Sequence, residues 1–331
     1  MNGANLTNQD FTNADFTGVI SGGIATATGA KFPANYKLVS TYIVGPKANL
    51  DNAMLTSAVN LTGVDLSGAS LNMVMGRNIT GAPTALPAGW KIISNVLVGP
   101  TANLGLINKM PGTGAYMTDM DLTGMDLSGA NLYGAKSIGI KAAPAKLPAN
   151  WTAFGKMLLG PGADISTANI AGLDLSKAKF DGVRGTDLVG APKALPVGVG
   201  VVKGSLFTTN QTWDSYDFTG YDLSKLNLSG SSFKGTNFKG ANLSGANLTG
   251  SPLDGAQFVG TNLTGANLTS TSMRSATFTS AKLTSANLTS ASIFSPTDVA
   301  GLTSGGIVGF PADMPSYWQL IKGYILSDKV N

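Results

Sequence analysis

The sequence contains no cysteine, no histidine and no glutamate, so all 18 of its acidic residues are aspartate. Without Cys there is no disulfide framework and no thiolate nucleophile. Without His there is no imidazole base and no zinc site of the usual Cys/His kind. Glu commonly fills exposed helix positions, so its absence points to an all-β or coil-like architecture. Charge is also scarce, at 12% of 331 residues with a formal net charge of +4. So mild a balance suits weak attraction to anionic surfaces better than dedicated nucleic-acid binding. No stretch approaches the ~18 apolar residues of a membrane span. The opening "MNGANLTNQDFTNADFTG" lacks the basic and apolar regions of a signal peptide.

What is abundant is Gly (43 residues), with Asn, Ser, Thr and Ala, and these follow a beat of five. From Phe218 through Leu223, Leu228, Phe233, Phe238 and onward to Ile293, a large apolar residue occupies every fifth place without a break. At the chain's overall hydrophobic content, chance would produce that run about once in a million tries. Two places before the large residue sits a small one, as at Ala241, Ala246, Ala256 and Ala266. Between them lies a polar residue, usually Asn or Asp, and most often Ser or Thr and then Gly or Ser follow.

A period of five is neither the 2 of a strand nor the 3.6 of a helix. An extended segment would turn the large and the small residue to one side, inward, and leave three places for solvent and a corner. Gly serves a corner that needs positive φ, and Ser is expected where the corner takes another turn type. Four such sides close a coil of twenty residues, and successive coils would stack about 4.8 Å apart through backbone hydrogen bonds.

The "A(N/D)LxG" units, for example Ala241-Asn242-Leu243-Ser244-Gly245, resemble those of the pentapeptide-repeat family. The resemblance extends over roughly two thirds of the chain. It implies an all-β fold, a right-handed quadrilateral β-helix. Fold does not carry function with it.

Outside the continuous run the beat comes in bursts, at Leu6, Phe11 and Phe16, at Leu61, Leu66 and Leu71, and at Leu122, Leu127 and Leu132. Between bursts a second element recurs: "FPANYKLVSTYIVGPKANL" from Phe32, "LPAGWKIISNVLVGPTANL" from Leu86 and "LPANWTAFGKMLLGPGADI" from Leu147. A decayed copy starts at Leu195, and "MPSYWQLIKGYILSDKVN" ends the sequence. Two apolar runs with a polar break read as a short hairpin that leaves the coil, packs an aromatic on its flank and returns. The aromatics are Tyr36, Trp90 and Trp151, with Val199 in the fourth copy and Trp318 in the last. The expected organisation is an interrupted β-helix over 1–213, a continuous one over 214–295, and a C-terminal cap over 296–331 in which Trp318 and Tyr324 cover the last coil.

Little in the sequence suggests chemistry. Asp121 and Asp126 stand where the repeat elsewhere places Asn, so the cluster with Asp119 reads as structural, the alternative being calcium held by Asp and Asn rows. "GVGVVKG" and "GANLYGAKS" glance at phosphate loops without the required spacing or a strand-to-helix setting. No cofactor and no enzymatic activity are expected. The N-terminal coil, with Leu6, Phe11 and Phe16, has no evident cover: either the first excursion folds back over it, or it is a docking surface for a partner or a second copy. Tyr36, Trp90 and Trp151 are read as packing anchors, or else as platforms for a glycan.

The aromatic modules look like those of pentapeptide-repeat proteins of phages and environmental bacteria. That resemblance implies a virion-associated decoration, cement or fibre protein, multi-copy or homo-oligomeric, with capsid or tail proteins as partners and neither membrane nor specific nucleic acid. A bacterial cytosolic or surface scaffold is the alternative. A further one is imitation of DNA against a topoisomerase, as some family members do with a strongly acidic surface that this chain lacks.

Overall fold

The computed structural model describes residues 1–105, 114–294 and 298–327. Of the expected cap, residues 296–297 and 328–331 lie outside the described residues. The chain divides into two compact units, Met1–Asp164 and Ile165–Asn331. No helix occurs among the described residues.

Each unit is a right-handed quadrilateral β-helix whose sides mostly pair through a single parallel bridge. Asn242 bridges Asp222 behind it and Asn262 ahead. The Leu243 N–H donates to the Asn262 carbonyl at 2.7 Å, and the Asn262 N–H donates back to Ala241 at 3.0 Å. The corner closes within the repeat, where the Ala246 N–H reaches the Leu243 carbonyl at 3.0 Å. Gly245 sits at its third place with φ of 64°. Where the sequence writes Ser instead, the corner does not change type. Ser270, Ser275, Ser280, Ser285 and Ser290 all lie at φ of 55–58°. Stacking demands the same corner from every coil, so it holds Ser in the left-handed region that Gly occupies more cheaply.

The inward residues form columns. Phe218, Phe238, Phe258 and Phe278 stack on one side with centroid spacings of 5.8, 5.4 and 5.3 Å, and Trp318 lies 6.4 Å beyond Phe278. Full burial of each such side chain contributes about 1.5–3 kcal/mol. Because each coil packs only on its neighbours, stability accrues coil by coil.

Among the described residues, five antiparallel hairpins interrupt this pattern. In unit 1, β1 (Lys37–Val39) pairs with β2 (Tyr42–Val44). Next come β3 (Met54–Leu55) and β4 (Met75–Gly76), a short parallel pair of the coil itself. The remaining hairpins are β5 (Lys91–Ile93) with β6 (Val96–Val98), β7 (Thr152–Phe154) with β8 (Met157–Leu159), β9 (Gly200–Val202) with β10 (Ser205–Phe207), and β11 (Trp318–Ile321) with β12 (Tyr324–Ser327). The copy at Leu195, read as decayed, forms the same hairpin as the others.

Only half of each of the first four hairpins is an excursion. The first strands are largely half-exposed. The second strands are part of the wall: Ile43, Val44, Leu97, Val98, Leu158, Leu159, Leu206 and Phe207 are no more than 1% exposed. Room for them comes from a small residue on the preceding coil. A Cβ on Gly76 would lie 2.5 Å from Leu97 Cβ, and one on Gly185 would lie 3.0 Å from Leu206 Cβ. Elsewhere the small residue is a serine that also bonds the strand. Ser21 Oγ accepts the Ile43 N–H at 2.8 Å, Ser137 Oγ donates to the Leu158 carbonyl at 3.0 Å, and Ser304 Oγ accepts the Ile325 N–H at 3.0 Å.

The aromatic of each module lies on a glycine. A Cβ on Gly45, Gly99 or Gly160 would fall inside van der Waals contact with the ring of Tyr36, Trp90 or Trp151. The fourth module has no aromatic at that place, and there Val199 and Thr208 stand at the ring and glycine places. Changing Gly99 to Thr in the presence of Trp90 should therefore destabilise unit 1 by about 1–3 kcal/mol, the usual cost of overpacking. The pair Trp90→Val with Gly99→Thr should recover part of that loss, with a coupling of about 0.5–3 kcal/mol in a denaturation double-mutant cycle. Strict additivity would mean that ring and glycine are independent.

Candidate interaction surface

The residues expected to dock are placed as follows. Leu6 and Phe16 point inward and are 5% and 4% exposed, while Phe11 is half-buried. Phe11, Phe16, Phe32 and Tyr36 form one aromatic cluster, with Phe11 5.5 Å from Phe16 and Phe16 5.5 Å from Tyr36. The Tyr36 hydroxyl donates to the Pro46 carbonyl, and burial pushes its pKa up. Trp90 and Trp151 are half-buried, each with one face on its glycine. Trp318 is buried against the phenylalanine column, and Tyr324 is 54% exposed beside Gly305. The structure thus gathers the four N-terminal rings and gives each later tryptophan its own seat.

The acidic residues serve the corners. Asp121 Oδ1 accepts both the N–H (3.0 Å) and the hydroxyl (2.6 Å) of Thr123. Asp126 accepts the same pair from Ser128 and also Lys146 Nζ at 2.8 Å. The turn hydroxyl of Thr123 and, for Asp126, the Lys146 ammonium hold these carboxyls below the usual carboxylate range. A general acid would need the opposite shift. Among the described residues no Asp cluster is arranged to hold a metal ion.

Outward Asn residues do the same work and also link coils. Asn242 Oδ1 accepts the Ser244 N–H at 3.2 Å and the Asn262 side-chain amide at 3.2 Å. Asn247 is tied to Asn227 in the same way at 3.0 Å. The polar rim therefore combines short Asx turns at the corners with side-chain links between coils at Asn242, Asn247 and Asn262.

A family model matches the repeat that sets these inward columns and outward ladders. The model described as pentapeptide repeats finds eight copies, over residues 1–20, 46–72, 113–136, 217–251 and 253–292. Over these five stretches the chain is built of pentapeptide repeats. Solved pentapeptide-repeat structures are similar to it. One is a thylakoid-lumen protein of Arabidopsis thaliana, 24% identical over 29% of this chain and 63% of its own, with a TM-score of 0.21. Another is HetL of Nostoc sp. strain PCC 7120, 21% identical over 78% of this chain and 86% of its own, with a TM-score of 0.20. QnrB1, a plasmid-mediated fluoroquinolone resistance protein, is 13% identical over 78% of this chain and 83% of its own, with a TM-score of 0.24. No curated protein matches the sequence. No helix among the described residues is long and apolar enough to cross a membrane.

Proposed function

We propose that this pentapeptide-repeat protein is a non-catalytic interaction scaffold, present in many copies on a larger particle, with a virion as the assembly to test first. The observation that carries the scaffold reading is the use made of its polar groups. Asp121, Asp126, Asp174, Asp217 and Asp222 each bond the Ser or Thr two places on. Groups committed to corners hold a shape rather than take part in a reaction. The aromatic modules and the low charge support a decoration, cement or fibre role within that reading. Docking would use the N-terminal cluster, where Phe11 is the accessible ring beside the inward Leu6 and Phe16, or the flank marked by Tyr36, Trp90 and Trp151. Imitation of DNA calls for dense negative charge, and a formal balance of +4 speaks against it.

The test is a density gradient of particles from the source lysate, with the 33.7 kDa chain quantified by mass spectrometry. Stoichiometric co-migration with the particles is expected, and copy number would separate decoration from fibre. Absence of the chain from every particle fraction would overturn the virion assignment and direct attention to cellular partners.

A further inference from the structure

The four sides that wind from Phe218 to Ile293 are not alike in charge. Three of them carry ionic groups: Asp217 and Lys239 on the phenylalanine side, Asp222 and Lys282 on the next, and Lys234, Asp254 and Arg274 on the last. The remaining side, centred on Leu228, Leu248, Leu268 and Leu288, carries none. Its outward column is Asn227, Asn247, Asn267 and Asn287, bridged one to the next, and its corner column is Ser229, Thr249, Thr269 and Thr289. The side chains are fixed in place. The hydroxyls of Ser229, Thr249, Thr269 and Thr289 donate to the Asn Oδ1 of their own repeat at 2.9, 2.6, 2.6 and 2.7 Å.

This side changes character at its far end. Asn287 bridges Val308, and the Ser290 N–H bonds the Phe310 carbonyl at 2.8 Å, as Ser270 bonds Thr289 one coil earlier. Val308 and Phe310 therefore continue the Asn and Thr columns, and they are 55% and 78% exposed. An exposed aromatic ring thus adjoins a neutral lattice of amides and hydroxyls.

We propose that this side binds a neutral, extended polysaccharide laid along the ladder. Three features fit that ligand. An uncharged ladder is cheaper to desolvate than the ionic groups of the other sides. Side chains already locked by their neighbours lose little rotamer freedom on binding. Each hydroxyl that donates to its Asn keeps lone pairs for a sugar hydroxyl, and Phe310 offers an apolar face to the C–H side of a sugar ring. A protein partner would call for a buried aromatic or Arg anchor at the centre of the patch, and the ladder has none. The site is separate from Tyr36, Trp90 and Trp151, whose rings are committed to glycines.

Co-sedimentation of the full chain with microcrystalline cellulose and with chitin is the test. Asn267→Lys and Thr269→Lys put a cation in the middle of the ladder. Both should fold, because Lys282 and Lys239 already occupy the corresponding places on other sides. An unchanged thermal melt checks this, and Thr264→Lys, on a neighbouring side, is the matched control. The parent and the control should sediment with at least one of the two polysaccharides, and 1 M NaCl should leave binding intact. Each ladder variant should bind at least about tenfold more weakly, and Phe310→Ala about 3- to 10-fold more weakly. The proposal is overturned if neither polysaccharide depletes the parent from solution. Unchanged binding by the folded ladder variants would also overturn it, and loss of binding in salt would assign retention to the lysines.

Discussion

Replacing Phe258 with Asp should abolish the cooperative thermal transition of the unit that starts at Ile165. Phe258 is wholly buried between Phe238 and Phe278, almost parallel to the first (3°) and 17° from the second. Emptying that position costs about 3–5 kcal/mol. Leaving an unpaired carboxylate among phenyl rings adds a penalty of similar size. Together these approach the 5–15 kcal/mol that usually separates a folded domain from its unfolded chain. Asn262→Ser is the control. It gives up the amide bond to Asn242, but a serine hydroxyl can still accept the Thr264 N–H, so the change should stay within about 0.5 kcal/mol. Circular dichroism melts of both variants decide the point. A normal melt for Phe258→Asp would mean that the inward assignment is wrong.

Gln211→Ala should cost about 4 kcal/mol or more in urea denaturation, although alanine fills the same place at Ala48, Ala102 and Ala163. The buried Gln211 side chain makes four bonds. Its Oε1 accepts the Thr208 N–H at 3.1 Å and the Trp213 indole N–H at 2.9 Å. Its Nε2 donates to the carbonyls of Val183 at 2.8 Å and Leu206 at 3.0 Å. All four partner residues are buried, and each stranded group costs about 1–3 kcal/mol. Adding Trp213→Leu restores the Ala-x-Leu pattern of the first two modules and removes the orphaned indole, so it should return part of the loss. A loss below about 1 kcal/mol would show that these groups find other partners.

The winding was legible in the sequence because the inward residues mark it locally. A large residue every fifth place, with a small one two before it, needs no knowledge of distant partners. What the sequence leaves unmarked depends on contacts a full coil away. Gly76, Ser137 and Gly185 look like ordinary members of a Gly- and Ser-rich chain until Leu97, Leu158 and Leu206 are found resting on them. Gly45, Gly99 and Gly160 read as part of a turn before proline, yet none has positive φ. Their smallness serves the ring above, and the exchange to Val199 and Thr208 in the fourth module was the available clue. Gln211 gives no local sign for the same reason, since its partners lie on two coils. The serine corners depart from the local expectation because turn preference is a local property, whereas here the neighbouring coils dictate the corner.

The side-chain ladders and bridges have a consequence for synthesis. Their partners stand about one coil apart, 20 residues between Asn242 and Asp222, widening to 29 between Asn210 and Asp181 where a hairpin intervenes. In ordinary β-sandwiches contacting strands are far apart along the chain, with relative contact orders of about 0.16–0.22, and folding is correspondingly slow. Here mean separations near one coil, in a chain this long, fall well below that range. A nascent chain leaving the ribosome at about 5–20 residues per second finds the template for each new turn already wound just behind it. Backbone pairing can thus keep pace with translation, and little unpaired edge is left waiting for a distant strand.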